Sequence, residues 1–317
     1  MFAMITRLFR LVNHHNLSIL MRILLDFKHP LDVMIFVLGL SKCTPVRRRH
    51  SNEDTVTVCD FEMFSLFLSR KVSRVTLSNG LLTFLWKGKQ VIMYYDGPDS
   101  LGDLLGTFGL EEYNRVDLDG KTVIDVGANV GDSALFFLLN GANKVICIEP
   151  FPYAFRLLQS NIVKNNLSQM TTCVHAGVGK EGHVDLSKSD TSWLASTIES
   201  PHFGTDSISV PILPLKTILL KYVRDCDDLI LKIDCEGCEY DAILLADNET
   251  LRRFSNIIIE YHFGFVDLRR KLTSACFEVT LERITTFVDF NKPPLASRGL
   301  LTANRLQHNE FESLRRQ

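Results

Sequence analysis

Val123 to Gly131 reads Val-Ile-Asp-Val-Gly-Ala-Asn-Val-Gly, and this stretch decides the fold. Val123 to Val126 is apolar and β-branched except for Asp125, the make-up of a buried parallel strand. Gly127 and Gly131 let the backbone turn sharply and come close to a ligand. Asp132 and Ser133 suit a helix start, and Ala134, Leu135, Phe136, Phe137 and Leu138 carry the helix on. Strand, glycine turn and helix in that order form the first half of a nucleotide-binding βαβ unit.

Outward from this turn, Lys144 to Ile148 reads as a second strand with Glu149 at its end and Pro150 after it. An acid about twenty residues beyond the turn is placed to hold a ribose through its hydroxyls. A dinucleotide is disfavoured, because its pyrophosphate would sit at the helix N-terminus between Asp125 and Asp132 and be repelled. A ligand with a ribose and a cationic tail fits better, and S-adenosylmethionine carries both a sulfonium and an ammonium.

The rest of the second half alternates strand and helix, which predicts an α/β fold with a doubly wound, mostly parallel sheet. Helices are expected over Phe151–Asn165, Leu215–Val223 and Glu239–Leu245, and strands over Thr171–His175, Leu229–Ile233 and Asn256–Tyr261. His183 to Val210 reads as an inserted hairpin with a long polar loop. Phe277–Leu281 and Gly299–Thr302 read as an antiparallel pair at the sheet edge. Upstream, Thr55–Val58, Arg74–Leu77, Leu81–Trp86 and Gln90–Tyr95 are strand-like, with Asn79-Gly80 and Lys87-Gly88-Lys89 as turns, and a helix is expected near Leu101–Phe108. The division follows: residues 1–115 form a helical segment and a small antiparallel β meander, and residues 116–317 form the ligand-binding domain.

A net charge of −2 excludes a globally basic nucleic-acid binder. The eight cysteines are scattered, which points to a reducing compartment rather than a disulfide framework. The longest apolar run near the N-terminus, Val33 to Leu40, is too short to span a bilayer, and Arg7, Arg10 and His14-His15 interrupt any signal-peptide core. A cytoplasmic protein is expected. Residues 1–50 hold eight Arg and Lys against two Asp. Their apolar stripes predict helices packed on the main domain, with weak contact to a membrane surface as the alternative. Arg47-Arg48-Arg49-His50 reads as a solvated linker; without interleaved aromatic residues it makes a poor nucleic-acid patch.

Two further strands end in ionisable residues, at the carboxyl edge where open α/β sheets bind ligands. They are Leu231-Lys232-Ile233-Asp234-Cys235-Glu236-Gly237-Cys238-Glu239 and Ile257-Ile258-Ile259-Glu260-Tyr261-His262. With Asp125 to Asp132 and Glu149-Pro150, these stretches resemble the FkbM-type methyltransferase family. The likeness runs from about Lys121 to the C-terminal strands, and its most specific part is Lys-x-Asp-x-Glu-Gly-x-Glu. The resemblance implies a class I methyltransferase fold, S-adenosylmethionine as cofactor and transfer to oxygen. A small molecule or glycan is the expected acceptor. By the same resemblance, Gly127, Ala128, Asn129 and Gly131 line the methionine part, Glu149 and Pro150 lie at the ribose, Ala176 lies near the adenine, and Asp234 faces the cationic end. The charge pattern of the turn adds Asp125 and Asp132 to the cofactor-binding candidates. A non-catalytic module binding a nucleoside or partner is the alternative.

His262 is the candidate general base, because imidazole titrates near neutral pH, and Glu236 and Asp234 are the catalytic candidates that stand behind it. Glu236 and Glu239 are candidates to orient the acceptor or to pair with Lys232, with a helix-start role as the alternative. Cys235 and Cys238 depart from the family pattern and are read as small apolar thiols filling a corner. Asp234, Glu236, Glu260 and His262 also suit a divalent ion. Nothing in their spacing makes them converge, so no metal site is assigned from sequence.

Overall fold

The computed structural model describes residues 23–49, 55–97, 100–187, 207–223, 228–285 and 298–306. The stripe expected from Phe2 to Val12 lies outside these residues. The chain divides into two compact units, one running to Glu112 and the other starting at Tyr113. No helix among the described residues is long and apolar enough to cross a membrane.

The first unit holds helix α1 (Pro30–Val37), strands β1 (Thr44–Val46) and β2 (Val56–Val58), helix α2 (Phe61–Leu68), and the meander β3 (Val72–Ser78), β4 (Leu81–Trp86) and β5 (Lys89–Tyr94). The meander is the one its sequence predicts. Asn79 and Gly80 have φ of 51° and 70°, as a tight two-residue hairpin turn requires. In place of the helix expected near Leu101–Phe108 stands a π-helical turn, Leu105–Leu110. Gly106 and Gly109 within it weaken the preference for a regular α-helix.

Two readings of this unit need correction. Arg48 and Arg49 do not sit in a solvated linker. The Arg48 guanidinium donates to the carbonyls of Leu66, Phe67, Ser69 and Val72, satisfying groups left open where α2 ends. Arg49 donates to the carbonyl of Phe27. Nor are all the cysteines thiols: Cys43 and Cys59 are joined in a disulfide. The register pairs Thr44 with Val58, so the two cysteines meet directly across the ends of β1 and β2 although they stand 16 residues apart in sequence. With a second bridge between Cys235 and Cys238, the cytoplasmic expectation loses the support it drew from the cysteines.

The second unit holds β6 (Thr122–Val126), α3 (Asp132–Leu139), β7 (Lys144–Ile148), α4 (Pro152–Lys164), β8 (Thr171–Val174), β9 (Gly177–Val178), β10 (Gly182–Ser187), β11 (Ser207–Leu213), α5 (Leu215–Tyr222), β12 (Leu229–Ile233), α6 (Cys238–Leu244), α7 (Asn248–Leu251), β13 (Phe254–Tyr261), α8 (Val266–Ser274), β14 (Phe277–Thr285) and β15 (Arg298–Arg305). Seven strands form one sheet in the order β14-β15-β13-β12-β6-β7-β8. All neighbours from β13 to β8 pair in parallel, and β15 runs antiparallel to both β13 and β14. Every residue of β6 and β12 is buried, as strands covered on both faces must be. The expected antiparallel pair at the sheet edge forms, with β14 outermost and β15 between it and β13. The hairpin expected between His183 and Val210 is β10 against β11, and its polar loop lies outside the described residues. Helix α8 was not expected. It buries Leu268 and Leu272, four residues apart on one face, in the core that Phe277 also joins.

Winding reverses between β6 and β12. The chain after β6 goes to β7 and then β8 on one side, while β12 and β13 lie on the other. The crevice outside the carboxyl ends of these strands is where such a sheet binds ligands.

Candidate active site

Three chain segments meet at this crevice: the turn after β6, the turn from β12 into α6, and the end of β13. Gly127 follows β6 with φ +73°, and a Cβ placed there would lie 1.7 Å from the carbonyl oxygen of Asp234. Only glycine lets the two turns touch.

Beneath the turns lies a charge pair that the sequence did not reveal as a pair. Lys232 stands opposite Asp125 in the β12–β6 register, and its ammonium is 3.0 Å from Asp125 Oδ1. Both side chains are buried, 2% and 0% exposed. The same ammonium donates to the carbonyl of Gly127 and lies 5.3 Å from the centre of the Tyr113 ring. Burial pulls the Lys232 pKa down, but the charges of Asp125 and Asp234 outweigh it and raise it. Asp125 Oδ2 accepts from the Ser133 hydroxyl at 2.6 Å. Asp125 was expected to face the cofactor; with its oxygens held by Lys232 and Ser133 it fixes the turn and α3 instead. Lys232 is not the partner of Glu236 or Glu239.

Glu149 ends β7 and is 4% exposed. Its Oε2 accepts from the Asn129 amide at 2.8 Å and its Oε1 from the Phe151 amide at 2.9 Å. Burial pushes its carboxyl up to about 7, against the lowering effect of those two amides. Each carboxylate oxygen retains a lone pair for a further donor. Ala128 and Ala176 are fully buried, and Asp132 is nearly so in the first turn of α3. His175, next to Ala176, donates from Nε2 to the carbonyl of Pro150 and stacks on Phe155. A glycine cradle with no room for a Cβ and a buried acid with spare acceptor capacity suit a ligand that carries a diol.

The third cluster surrounds His262. Glu239, fully buried at the start of α6, accepts from the His262 amide and from Nδ1, each at 3.0 Å, and from the Gly237 amide. On the other side Nε2 faces Glu236 Oε2 at 3.3 Å, Asp234 Oδ1 at 3.8 Å and Glu260 Oε1 at 3.9 Å. Burial pulls the imidazole pKa down, but the nearness of Glu236 and Glu239 and the charge of Asp234 push it up to about 10. Acids on both sides of the ring favour the charged imidazolium, which has no free lone pair, and this weighs against the general-base role expected of His262. Arg298 on β15 holds Glu236 Oε1 at 2.6 Å, and the Tyr113 hydroxyl donates to Asp234 Oδ2 at 3.1 Å. Neither residue carries a sequence signal: Tyr113 precedes the βαβ unit, and Arg298 stands in no recognisable motif.

Cys235 and Cys238 form a disulfide across the turn into α6 rather than a packed pair of thiols. Positive φ at Glu236 and Gly237, 53° and 121°, folds the chain back so that the two sulfurs meet.

The strand order, with its one reversed strand next to the edge, defines a class I methyltransferase fold. Residues 125–279 match the family model for the methyltransferase FkbM domain, from the middle of β6 into β14. The chain carries that domain and is an S-adenosylmethionine-dependent methyltransferase. No curated protein matches it. Among solved structures it is similar to M. capricolum TrmK in complex with S-adenosyl-homocysteine, at 13% identity and TM-score 0.39, covering 65% of this chain and 74% of that one. A putative SAM-dependent methyltransferase from Streptococcus mutans is similar at 11% identity and TM-score 0.42, covering 72% and 56%. An rRNA methylase from Streptococcus thermophilus is similar at 13% identity and TM-score 0.36, covering 63% and 96%.

Proposed function

We propose that the chain methylates a hydroxyl oxygen of a small molecule or glycan. The observation that carries this reading is the acid lining of the acceptor side. Asp234, Glu236 and Glu260 remain 26%, 25% and 21% exposed around the buried His262. Such a mouth repels a phosphate backbone and provides acceptors for a hydroxyl proton.

The bound cofactor supplies an electrophilic methyl group. Gly127 and Asn129 give it a close-fitting turn, Glu149 takes its ribose hydroxyls, and Asp234 balances its positive charge. The residues of the crevice would hold an acceptor oxygen in line with the methyl–sulfur bond that the cofactor would bring. The hydroxyl proton passes to Asp234 or Glu236, the partly exposed carboxylates beside His262. His262 positions these two rather than taking the proton. Orientation of the acceptor supplies much of the acceleration.

The test is incubation with labelled S-adenosylmethionine and a panel of hydroxyl compounds, oligosaccharides and structured RNA. Label on oxygen of a glycan or small molecule is expected. Label confined to RNA overturns the reading.

Cofactor affinity should also depend on pH. Ribose hydroxyls donate to an ionised Glu149, and in the empty site that carboxyl titrates at about 7. Binding must therefore expel a proton below pH 7. Calorimetry with S-adenosylhomocysteine should show affinity falling by up to about tenfold for each pH unit below that point, and flat above it. Glu149→Gln should bind more weakly and lose the slope. A wild-type affinity that is constant from pH 5.5 to 8 would remove Glu149 from the ribose.

A further inference from the structure

We propose that Asp234, Glu236 and His262 form a divalent-cation site at which the acceptor oxygen is bound. The site itself stands on geometry; only the use of the ion rests on the methyl-transfer reading above. One ligand atom from each residue lies within 4.8 Å of the other two. Ligands held at roughly 2.0–2.2 Å from an ion stand about 3 Å apart, so a small inward rotation of the side chains closes the set.

Acidic clusters without an ion are common, and two features separate this one from them. The first is the imidazole. The His262 side chain is 3% exposed, and Nε2 points into the cluster, buried and without a hydrogen bond of sound geometry. Glu239 accepts from Nδ1 and so directs the Nε2 lone pair at the cluster when an ion is present. The second feature is the outer support of the carboxylates. Tyr113 holds Asp234 Oδ2 and leaves Oδ1 facing His262. Arg298 holds Glu236 Oε1 and leaves Oε2 facing His262. Each of the three residues thus has one atom pinned from outside and one atom converging, the arrangement that outer partners impose on metal ligands. Glu260 Oε1, 3.9 Å from Nε2, adds a further oxygen at the rim.

One imidazole nitrogen with two or three carboxylate oxygens suits manganese or zinc better than magnesium, which prefers oxygen alone. An ion here would take the acceptor oxygen as a further ligand and ease loss of its proton to solvent. The bonds made and broken in the transfer are unchanged. Asp234 and Glu236 would then serve as ligands, and the ion would promote the deprotonation for which they otherwise act as bases.

Manganese alone, titrated into the full chain and followed by the spectrum of the free ion, tests the proposal. One ion per chain is expected, with imidazole-nitrogen coupling in the pulsed spectrum of the bound metal. His262→Gln and Asp234→Asn should weaken binding by about 100-fold or more, Glu239→Gln by about 10–100-fold, and Glu249→Gln, an exposed side chain on α7, not at all. The urea midpoint of each variant reports whether it folds. If the variants do not fold, the nitrogen coupling of the wild type decides alone. Absence of stoichiometric manganese, or bound manganese without nitrogen coupling, overturns the site. Failure of the methyl-transfer reading appears separately, as a wild type that binds the ion but neither S-adenosylhomocysteine nor transfers label.

Discussion

Lys232→Met should lower the folding stability of the domain by about 3–5 kcal/mol, the cost of leaving a buried charge without its partner. Asp125 is 0% exposed and sits 3.0 Å from the lysine ammonium, so the orphaned carboxylate has no route to water. Methionine fills nearly the same volume, which keeps the loss electrostatic rather than a cavity effect. The double variant Lys232→Met/Asp125→Leu should recover most of the loss, because an apolar pair of similar volume avoids the desolvation of both ions. Some deficit should remain, since Ser133 then loses the acceptor it reaches at 2.6 Å. Urea midpoints of the two variants and the wild type measure this. A single-variant loss below about 1 kcal/mol would show that the pair contributes little.

Gly127→Ala should be nearly as damaging, for steric reasons. Alanine at φ +73° is strained, and its Cβ would stand 1.7 Å from a backbone oxygen that follows a central strand and cannot swing away. Backbone strain of about 1–3 kcal/mol and overpacking of about 1–3 kcal/mol combine. Their sum should divide between a lower urea midpoint and weaker binding of S-adenosylhomocysteine, because the turn must open to admit the methyl group. Gly120→Ala is the control: its φ is +69° with nothing within 4 Å of the added carbon, so it should show the strain alone and keep full affinity. Equal losses in both variants would mean that the approach to Asp234 is unimportant.

Elements were legible in the sequence where a local pattern carried them. Leu229–Ile233 and Leu81–Trp86 are strands over the residues expected, because an unbroken apolar run and an Asn-Gly turn are each local signals. The glycine turn, Glu149, Asp234, Glu236 and His262 were legible as the ends of such strands. Their partners were not. Asp125 and Lys232 lie over a hundred residues apart and meet only through the register of β6 and β12. Arg298 reaches Glu236 only because β15 inserts beside β13. The surroundings of His262 were hidden for the same reason: a histidine at a strand end reads as a base until the acids on both sides of its ring are placed. Cys43 and Cys59 looked scattered because the register that pairs β1 with β2 is not written in their spacing.

The inserted position of β15 ties completion of this sheet to the order of synthesis. A ribosome delivers β13 and β14 first, yet neither can pair with the other, since β15 occupies the place between them. Until Arg298–Arg305 leaves the exit tunnel, β13 presents an open edge and β14 has no neighbour in the sheet. An open apolar edge is a template for wrong pairing, so a nascent chain stalled before β15 is the form most exposed to aggregation and most in need of a chaperone. The same last strand brings Arg298 to Glu236, so the acid cluster acquires its balancing charge only when translation has passed that point.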